Sequence, residues 1–127
     1  QGGFQTKILV RDHEMISDQP FGFNGQNRGP KPSELVLAAL AACQETTYRI
    51  FAEDMGIQID KIAVQLRGSQ DLRGFMALDD EIPAGFTAIE GKVFIQSAAI
   101  ISFIISSYIV TFNFPNPIAA SDKLRRD

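Results

Sequence analysis

The sequence contains one cysteine, Cys43, and one histidine, His13, among its 127 residues. A single thiol cannot close an intramolecular disulfide, so the sequence excludes a small secreted fold held together by disulfides and favours a reducing cytoplasm. One cysteine and one histidine also leave no zinc or iron–sulfur site of the usual ligand types. We therefore expect no metal and no other cofactor.

Basic charge is also sparse. The formal net charge is −3. The only cluster of basic residues lies at 123–126, and an aspartate flanks it on each side. Nucleic-acid-binding proteins carry basic clusters on their surfaces, so we expect no nucleic-acid partner. The chain starts Gln1-Gly2-Gly3, without a basic residue followed by an apolar run, and we expect no signal peptide.

Residues 98–114 form a run that is close to continuously apolar. An apolar fraction of 45 % and a charged fraction of 21 % are typical of a globular protein, and the length predicts a single domain over 1–127. The 98–114 run approaches the length of a membrane span, but serine and threonine residues interrupt it and prolines follow it. We therefore predict a second helix over 98–112, buried within a dimer, and no membrane association.

Turn-forming residues divide the first half of the chain. Residues 4–17 predict a hairpin that turns at 11–13, and residues 20–32, rich in glycine and proline, predict a loop. A central helix is predicted over 33–55, because Ser33 suits the N-cap and Gly56 supplies a left-handed stop.

Residues 57–96 predict a sheet. Apolar and polar residues alternate over 57–66, and further strands are predicted at 72–78 and 86–96. The order strand–strand–helix–three strands–helix indicates an α+β fold with helices packed against an antiparallel sheet.

Cys43 lies in the middle of the predicted central helix. Helical spacing places it on one face with apolar residues such as Val36, Leu40 and Ile50, which predicts a core position. Cys43 is then either a small buried apolar residue or a reactive thiol. Two or three turns of helix precede it, so the helix dipole does not reach the sulfur, and a thiolate there needs a cation from elsewhere.

The run Gly29-Pro30-Lys31-Pro32-Ser33-Glu34-Leu35, followed by the alanine-rich segment 37–43, resembles the signature of the OsmC/Ohr family. Members of this family respond to osmotic stress or organic hydroperoxides. The resemblance covers about residues 10–97, and 71–75 (Asp-Leu-Arg-Gly-Phe) resembles an OsmC-like subgroup. It implies a sandwich of antiparallel sheet with two central helices, assembled as an intertwined homodimer with active sites at the subunit interface.

Peroxidases of this family use two cysteines and a glutamate. The resemblance assigns Cys43 to the cysteine that attacks the peroxide. Asn116 stands where the second, resolving cysteine is expected, and Ser33 stands where the glutamate is expected. Glu34 is one position further along, which rotates its side chain by about 100° around a helix, so it is an imperfect substitute.

The family also uses an arginine that polarises the thiol. Arg11 in the predicted hairpin turn is the nearest candidate, and Arg28 in the glycine-rich loop is the alternative. Without this role, Arg11 is an ordinary surface residue and Arg28 is an ordinary residue of the loop. Phe21, Phe23 and Phe51 are candidates for an apolar pocket that binds a hydrophobic peroxide, although phenylalanines in a small domain also form its core.

Two hypotheses about function follow. In the first, Cys43 reduces an organic hydroperoxide, and an external thiol returns it to the thiol, because the sequence has no second cysteine. In the alternative, the protein is a catalytically degenerate OsmC-like dimer that binds a small apolar ligand or has a structural role.

Overall fold

The computed structural model describes residues 3–97 and 100–110, the latter through their backbone. The elements in chain order are β1 (Thr6–Val10), β2 (His13–Ser17), a 3-10 turn (Phe21–Phe23), α1 (Pro32–Asp54), β3 (Lys61–Gln70), α2 (Leu72–Phe75), β4 (Phe86–Ser97) and β5 (Ile100–Val110). Two antiparallel sheets and one long helix confirm the α+β class.

The chain divides into two compact units, Gln1–Gln44 (the first unit) and Glu45–Asp127 (the second unit). The first unit contains the β1–β2 hairpin, the glycine-rich loop and the part of α1 that carries Cys43. The second unit contains the rest of α1 and the sheet of β3, β4 and β5.

The hairpin of the first unit occupies the predicted segment 4–17. Its strands pair antiparallel, from Thr6 opposite Ser17 to Val10 opposite His13. The connecting turn includes Arg11, whose φ of 53° lies in the left-handed region that two-residue hairpin turns require.

Helix α1 has a clear local signal at each end. It starts at Pro32, where the missing backbone N–H costs no hydrogen bond because the first helical residues have no intrahelical acceptor. Beyond its last turn, Gly56 adopts a φ of 69° and donates its N–H to the Glu53 oxygen at 3.0 Å. The Ile57 N–H reaches the Ala52 oxygen at 2.7 Å, which completes a Schellman ending.

The sheet of the second unit has the strand order β3–β4–β5, with both pairs antiparallel. Ile62, Val64 and Leu66 of β3 point to one half-buried face. On β4 the buried residues of that face are Ile89 and Val93, and Val64 lies directly opposite Val93. Because side chains alternate between the two faces of a strand, these residues lie on the same face of the sheet. This face carries the apolar core of the second unit.

The prediction of a second helix over 98–112 is wrong for residues 100–110, which form β5. A continuously apolar run has no period that separates a buried helix from a buried strand. Isoleucine is β-branched and favours a strand, and pairing with β4 satisfies the backbone groups along one edge of this segment. Residues 98, 99, 111 and 112 lie outside the described residues. Within the described part of the chain, no helix is long and apolar enough to cross a membrane.

The strand predicted over 72–78 is also wrong, because the chain forms the short helix α2 there. The Asp71 carboxylate accepts the Arg73 backbone N–H at 3.0 Å and the Arg73 guanidinium at 3.1 and 2.7 Å. Gly74 is buried, and a Cβ there would overlap the backbone oxygens of Ile82 and Pro83. A local cap and a close backbone approach therefore outweigh the strand propensity of the apolar side chains.

Candidate functional site

Cys43 lies on α1, about three turns after the helix begins, and its side chain is exposed in the single chain. Val36 and Ile50, on the same face, are exposed as well, so this face is not the core of its unit as the helical spacing predicted. A thiol that reacts with a substrate must be accessible, and Cys43 meets that requirement. Asn116, at the position of the expected resolving cysteine, lies outside the described residues.

Glu34, the candidate acid, is exposed in the first turn of α1. Its Oε2 accepts the backbone N–H of Lys31 at 3.0 Å. This is the carboxylate half of a capping box, and a negative charge there also suits the positive end of the helix dipole. Within the described residues, the ion pairs do not include one between Glu34 and an arginine.

Arg11, the first candidate for the cation, lies at the exposed tip of the hairpin. His13 is two residues away and is exposed as well. Neither side chain forms an ion pair with any residue that the structure describes. The Arg11 guanidinium is therefore not committed to a carboxylate of its own unit.

Arg28, the alternative cation, belongs to a loop over residues 18–30 that is closed at its base. The Asp18 N–H donates to the Pro30 oxygen at 3.2 Å, and the Ser17 hydroxyl donates to the same oxygen at 2.9 Å. Inside the loop, the Asn27 N–H donates to the Gln19 oxygen at 3.0 Å. These bonds hold the two ends of the loop together immediately before α1.

Two glycines allow this loop to close. A Cβ on Gly25 would overlap the backbone of Gln19, and a Cβ on Gly29 would overlap the carbonyl group of Ile16. Only glycine permits such an approach between two stretches of backbone. The glycine-rich composition of 20–32 is therefore a packing requirement of the loop.

The carboxylate of Asp18 is the centre of the loop and is only 1 % exposed. Its Oδ1 accepts the Gln19 N–H at 2.8 Å, and its Oδ2 accepts the N–H groups of Gln26 at 3.0 Å and Arg28 at 3.1 Å. Burial raises the pKa of Asp18. The three N–H groups and the positive charge of Arg28 lower that pKa by more, so it lies below its ordinary value of 3.8.

Sequence reasoning missed Asp18. The available signal was its place directly before a long run of turn-forming residues, because aspartate side chains readily accept hydrogen bonds from the backbone of a following turn. The identity of the donors depends on the closed shape of the loop, which the sequence alone does not specify.

The candidate pocket residues are all well exposed in the single chain. Phe21 and Phe23 flank Gly22 in the 3-10 turn of the loop and are 74 % and 55 % exposed. Phe51 lies on α1 in the second unit and is 60 % exposed. The loop thus presents two aromatic rings outward from a hydrogen-bonded frame.

The second unit contains a separate open cavity of about 330 Å³ beside the end of α1. It holds none of the predicted site residues; its lining is Arg49, Ala52, Glu53, Ile57, Gln58 and Ile59. Arg49 is paired with Glu45 at 3.1 Å in the preceding turn. Among the described residues, no group of three or more histidine, cysteine or acidic side chains is placed to hold a metal ion.

Comparison with known protein families shows where the chain belongs. A family model described as OsmC-like protein matches residues 25–105, which is more than half of the chain and includes the second part of the loop, all of α1 and Cys43. No curated protein matches the sequence.

Proposed function

Because the chain belongs to the family of OsmC-like proteins, we propose that it is a thiol-dependent peroxidase of the stress response, which reduces organic hydroperoxides at Cys43. One observation carries this proposal: the single cysteine of the chain lies inside the family match and is exposed on α1. Buried structural cysteines are inert, whereas an accessible thiol can meet a substrate.

The chemistry needs one thiol of the protein and two of a reductant. The Cys43 thiolate attacks the outer oxygen of the hydroperoxide, the O–O bond breaks, and the alkoxide leaves and takes up a proton to form the alcohol. Cys43 is thereby oxidised to the sulfenic acid. A first external thiol condenses with it to a mixed disulfide and releases water; a second external thiol exchanges with that disulfide and restores Cys43. Such thiols are abundant in the cytoplasm, where we propose the protein acts.

The thiolate requires a positive charge nearby, and Arg11 is the first candidate for it. Arg11 is exposed and not paired with a carboxylate among the described residues. Arg28 is the alternative, on the loop that also presents Phe21 and Phe23. We propose that these two rings form the apolar contact for the organic part of the peroxide. Glu34 supports the N-terminus of the helix that carries Cys43.

We also propose that the working form is a homodimer. Among the residues whose side chains are described, the buried apolar ones are Ala52, Ile89 and Val93. Many large apolar side chains on the hairpin, the loop and α1 are exposed instead. Exposed apolar surface of this extent is typical of a subunit taken out of its assembly.

The decisive experiment is oxidation of the purified protein by a small excess of cumene hydroperoxide in the presence of a sulfenic-acid trap, followed by intact mass. We expect one trap adduct on the wild type and none on Cys43→Ser. An unmodified Cys43 in the wild type would refute peroxidase activity.

The rate of Cys43 oxidation in the same assay identifies the arginine that supplies the positive charge beside the thiolate. Arg11→Gln and Arg28→Gln are compared with Lys7→Gln, which removes an exposed cation of the same hairpin. Loss of the cation beside a thiolate lowers the thiolate population about tenfold or more. We expect that loss of rate for Arg11→Gln and an unchanged rate for Lys7→Gln. A loss for Arg28→Gln alone would assign the role to Arg28.

A second candidate function is an apolar ligand-binding or structural dimer without catalysis. It is favoured by the engagement of Glu34 with the Lys31 N–H rather than with an arginine. In that case Cys43→Ser leaves the binding of a fluorescent fatty acid unchanged, and Cys43 of the wild type remains reduced under the oxidation assay.

A further inference from the structure

The glycine-rich loop exposes two phenylalanines and yet is internally well bonded. Its ends are joined through Pro30, and its glycines allow backbone contacts that no other residue permits. Phe21 and Phe23 stand on the outside of this frame. A loop that was merely a connection would not need to hold exposed aromatic rings in a fixed backbone.

The fixed backbone depends on one side chain. Asp18 is the first residue of the loop, and its carboxylate accepts N–H groups both from the start of the loop, at Gln19, and from near its end, at Gln26 and Arg28. The 3-10 turn with Phe21 and Phe23 lies between these two anchoring points in sequence. Because backbone N–H groups need acceptors when they are buried, removal of this carboxylate leaves several donors unsatisfied at once.

We propose that Asp18 is a positioning residue of the peroxide site: its carboxylate fixes the loop that presents Phe21 and Phe23 to the apolar part of the peroxide. This inference rests on the proposed function and deepens it. Asp18 itself is almost completely buried, so its carboxylate is not accessible to a substrate. Its effect on the reaction is exerted through the loop, and it should therefore depend on the apolar part of the peroxide.

The test compares Asp18→Asn with Glu14→Gln. Both replace one carboxylate by its amide in the first unit, but Glu14 is exposed and paired only with Lys7. The rate of Cys43 oxidation is measured with cumene hydroperoxide and with hydrogen peroxide, which has no apolar part. We expect Asp18→Asn to lose about tenfold to a hundredfold with cumene hydroperoxide, because small misplacements of positioning groups have effects of that size. We expect a much smaller loss with hydrogen peroxide, and no change for Glu14→Gln.

A general loss of structure would lower both rates equally, and this result would overturn the positioning role. A second measurement does not require the variant to fold. In the wild type, amide hydrogen exchange should show protected N–H groups at Gln26 and Arg28, comparable with bonded amides elsewhere in the loop. Rapid exchange of both amides would overturn the inference.

The outcomes separate the two proposals. A wild type that reacts with neither peroxide refutes the proposed function, and with it this inference. A wild type that reacts with both peroxides, together with an Asp18→Asn variant that reacts equally fast, leaves the proposed function in place and refutes the role of Asp18 alone.

Discussion

Asp18 and Glu34 both accept backbone N–H groups, but they differ in burial and therefore in their contributions. Glu34 accepts one N–H at an exposed helix end, where water competes for the same donor. Asp18 accepts three N–H groups in an almost water-free position. A buried carboxylate of this kind stabilises the structure only while it is ionised, because the protonated form is a poorer acceptor.

The lowered pKa of Asp18 therefore predicts a dependence of stability on pH. Above the ordinary value of 3.8 the carboxylate is ionised in both the folded and the unfolded chain, and its contribution is fully present. As the pH falls below 3.8 towards the folded pKa, the unfolded chain binds the proton first, and the contribution is lost.

We expect the urea midpoint of the wild type to fall more between about pH 5 and about pH 3 than that of Asp18→Asn. Glu14→Gln, with an exposed carboxylate removed, should keep the larger fall of the wild type. Equal pH slopes for the wild type and Asp18→Asn would contradict this account of the carboxylate.

At this scale the sequence identified the family better than it identified the geometry around Cys43. The motif around Cys43 was sufficient to assign the family, because the match to residues 25–105 rests on the same segment. The burial of Cys43 was not predictable from helical spacing, since an apolar helix face can be covered by another chain as well as by its own. The role of Asp18 depends on donors up to ten residues away, which no local pattern reveals.

At the scale of elements, the loop and the sheet show how local signals compete. Helix α1 lies within one residue of its predicted limits at both ends. Gly56 follows its last turn as predicted, whereas Ser33, the expected N-cap, lies inside the helix, which begins at Pro32. Strand β4 lies where the strand over 86–96 was predicted. Strand β3 overlaps the alternating segment 57–66 but runs from Lys61 to Gln70. Strand β5 was not visible, because only pairing with β4 distinguishes it from a buried helix.

The close approach of the backbone at Gly25 predicts a sharp difference between two neighbouring glycines. Gly25→Ala places a Cβ against the backbone of Gln19, whereas Gly22→Ala meets nothing within 4 Å. We expect Gly25→Ala to lower the free energy of unfolding by about 1–3 kcal/mol and Gly22→Ala to change it by less than about 1 kcal/mol. Urea denaturation of both variants provides the measurement. Equal stabilities would show that the loop relaxes freely at Gly25.

The core of the second unit predicts a similar contrast along β4. Ile89 is 2 % exposed, whereas Lys92 points to the opposite, exposed face. We expect Ile89→Ala to cost about 2–5 kcal/mol, because it removes buried methyl groups and leaves a cavity. Lys92→Ala should stay within about 0.5 kcal/mol of the wild type. Urea denaturation gives the free energy of unfolding of each variant. A small loss of that free energy for Ile89→Ala would mean that the core lies elsewhere.

At the scale of the whole molecule, the most informative observation is that many large apolar side chains are exposed. Both units leave large apolar side chains exposed, and those on α1 include Val36, Ile50 and Phe51. A helix of 23 residues that buries only Ala52 gains little from its own chain. Since most of the stability of a helix in a protein comes from packing of its apolar face, α1 requires a partner surface. A second copy supplies that surface in the proposed homodimer.

The final prediction tests this assembly through α1. Ile50→Lys places a charge on an exposed apolar position, and Glu53→Lys places the same charge on an exposed polar position of the same helix. We expect the wild type to elute at about twice the 14.0 kDa mass of the chain in size-exclusion chromatography with light scattering. Ile50→Lys should shift towards the monomer, because a charge cannot be buried unpaired in an apolar interface. Glu53→Lys should remain a dimer, and equal behaviour of the two variants would exclude this face of α1 from the interface.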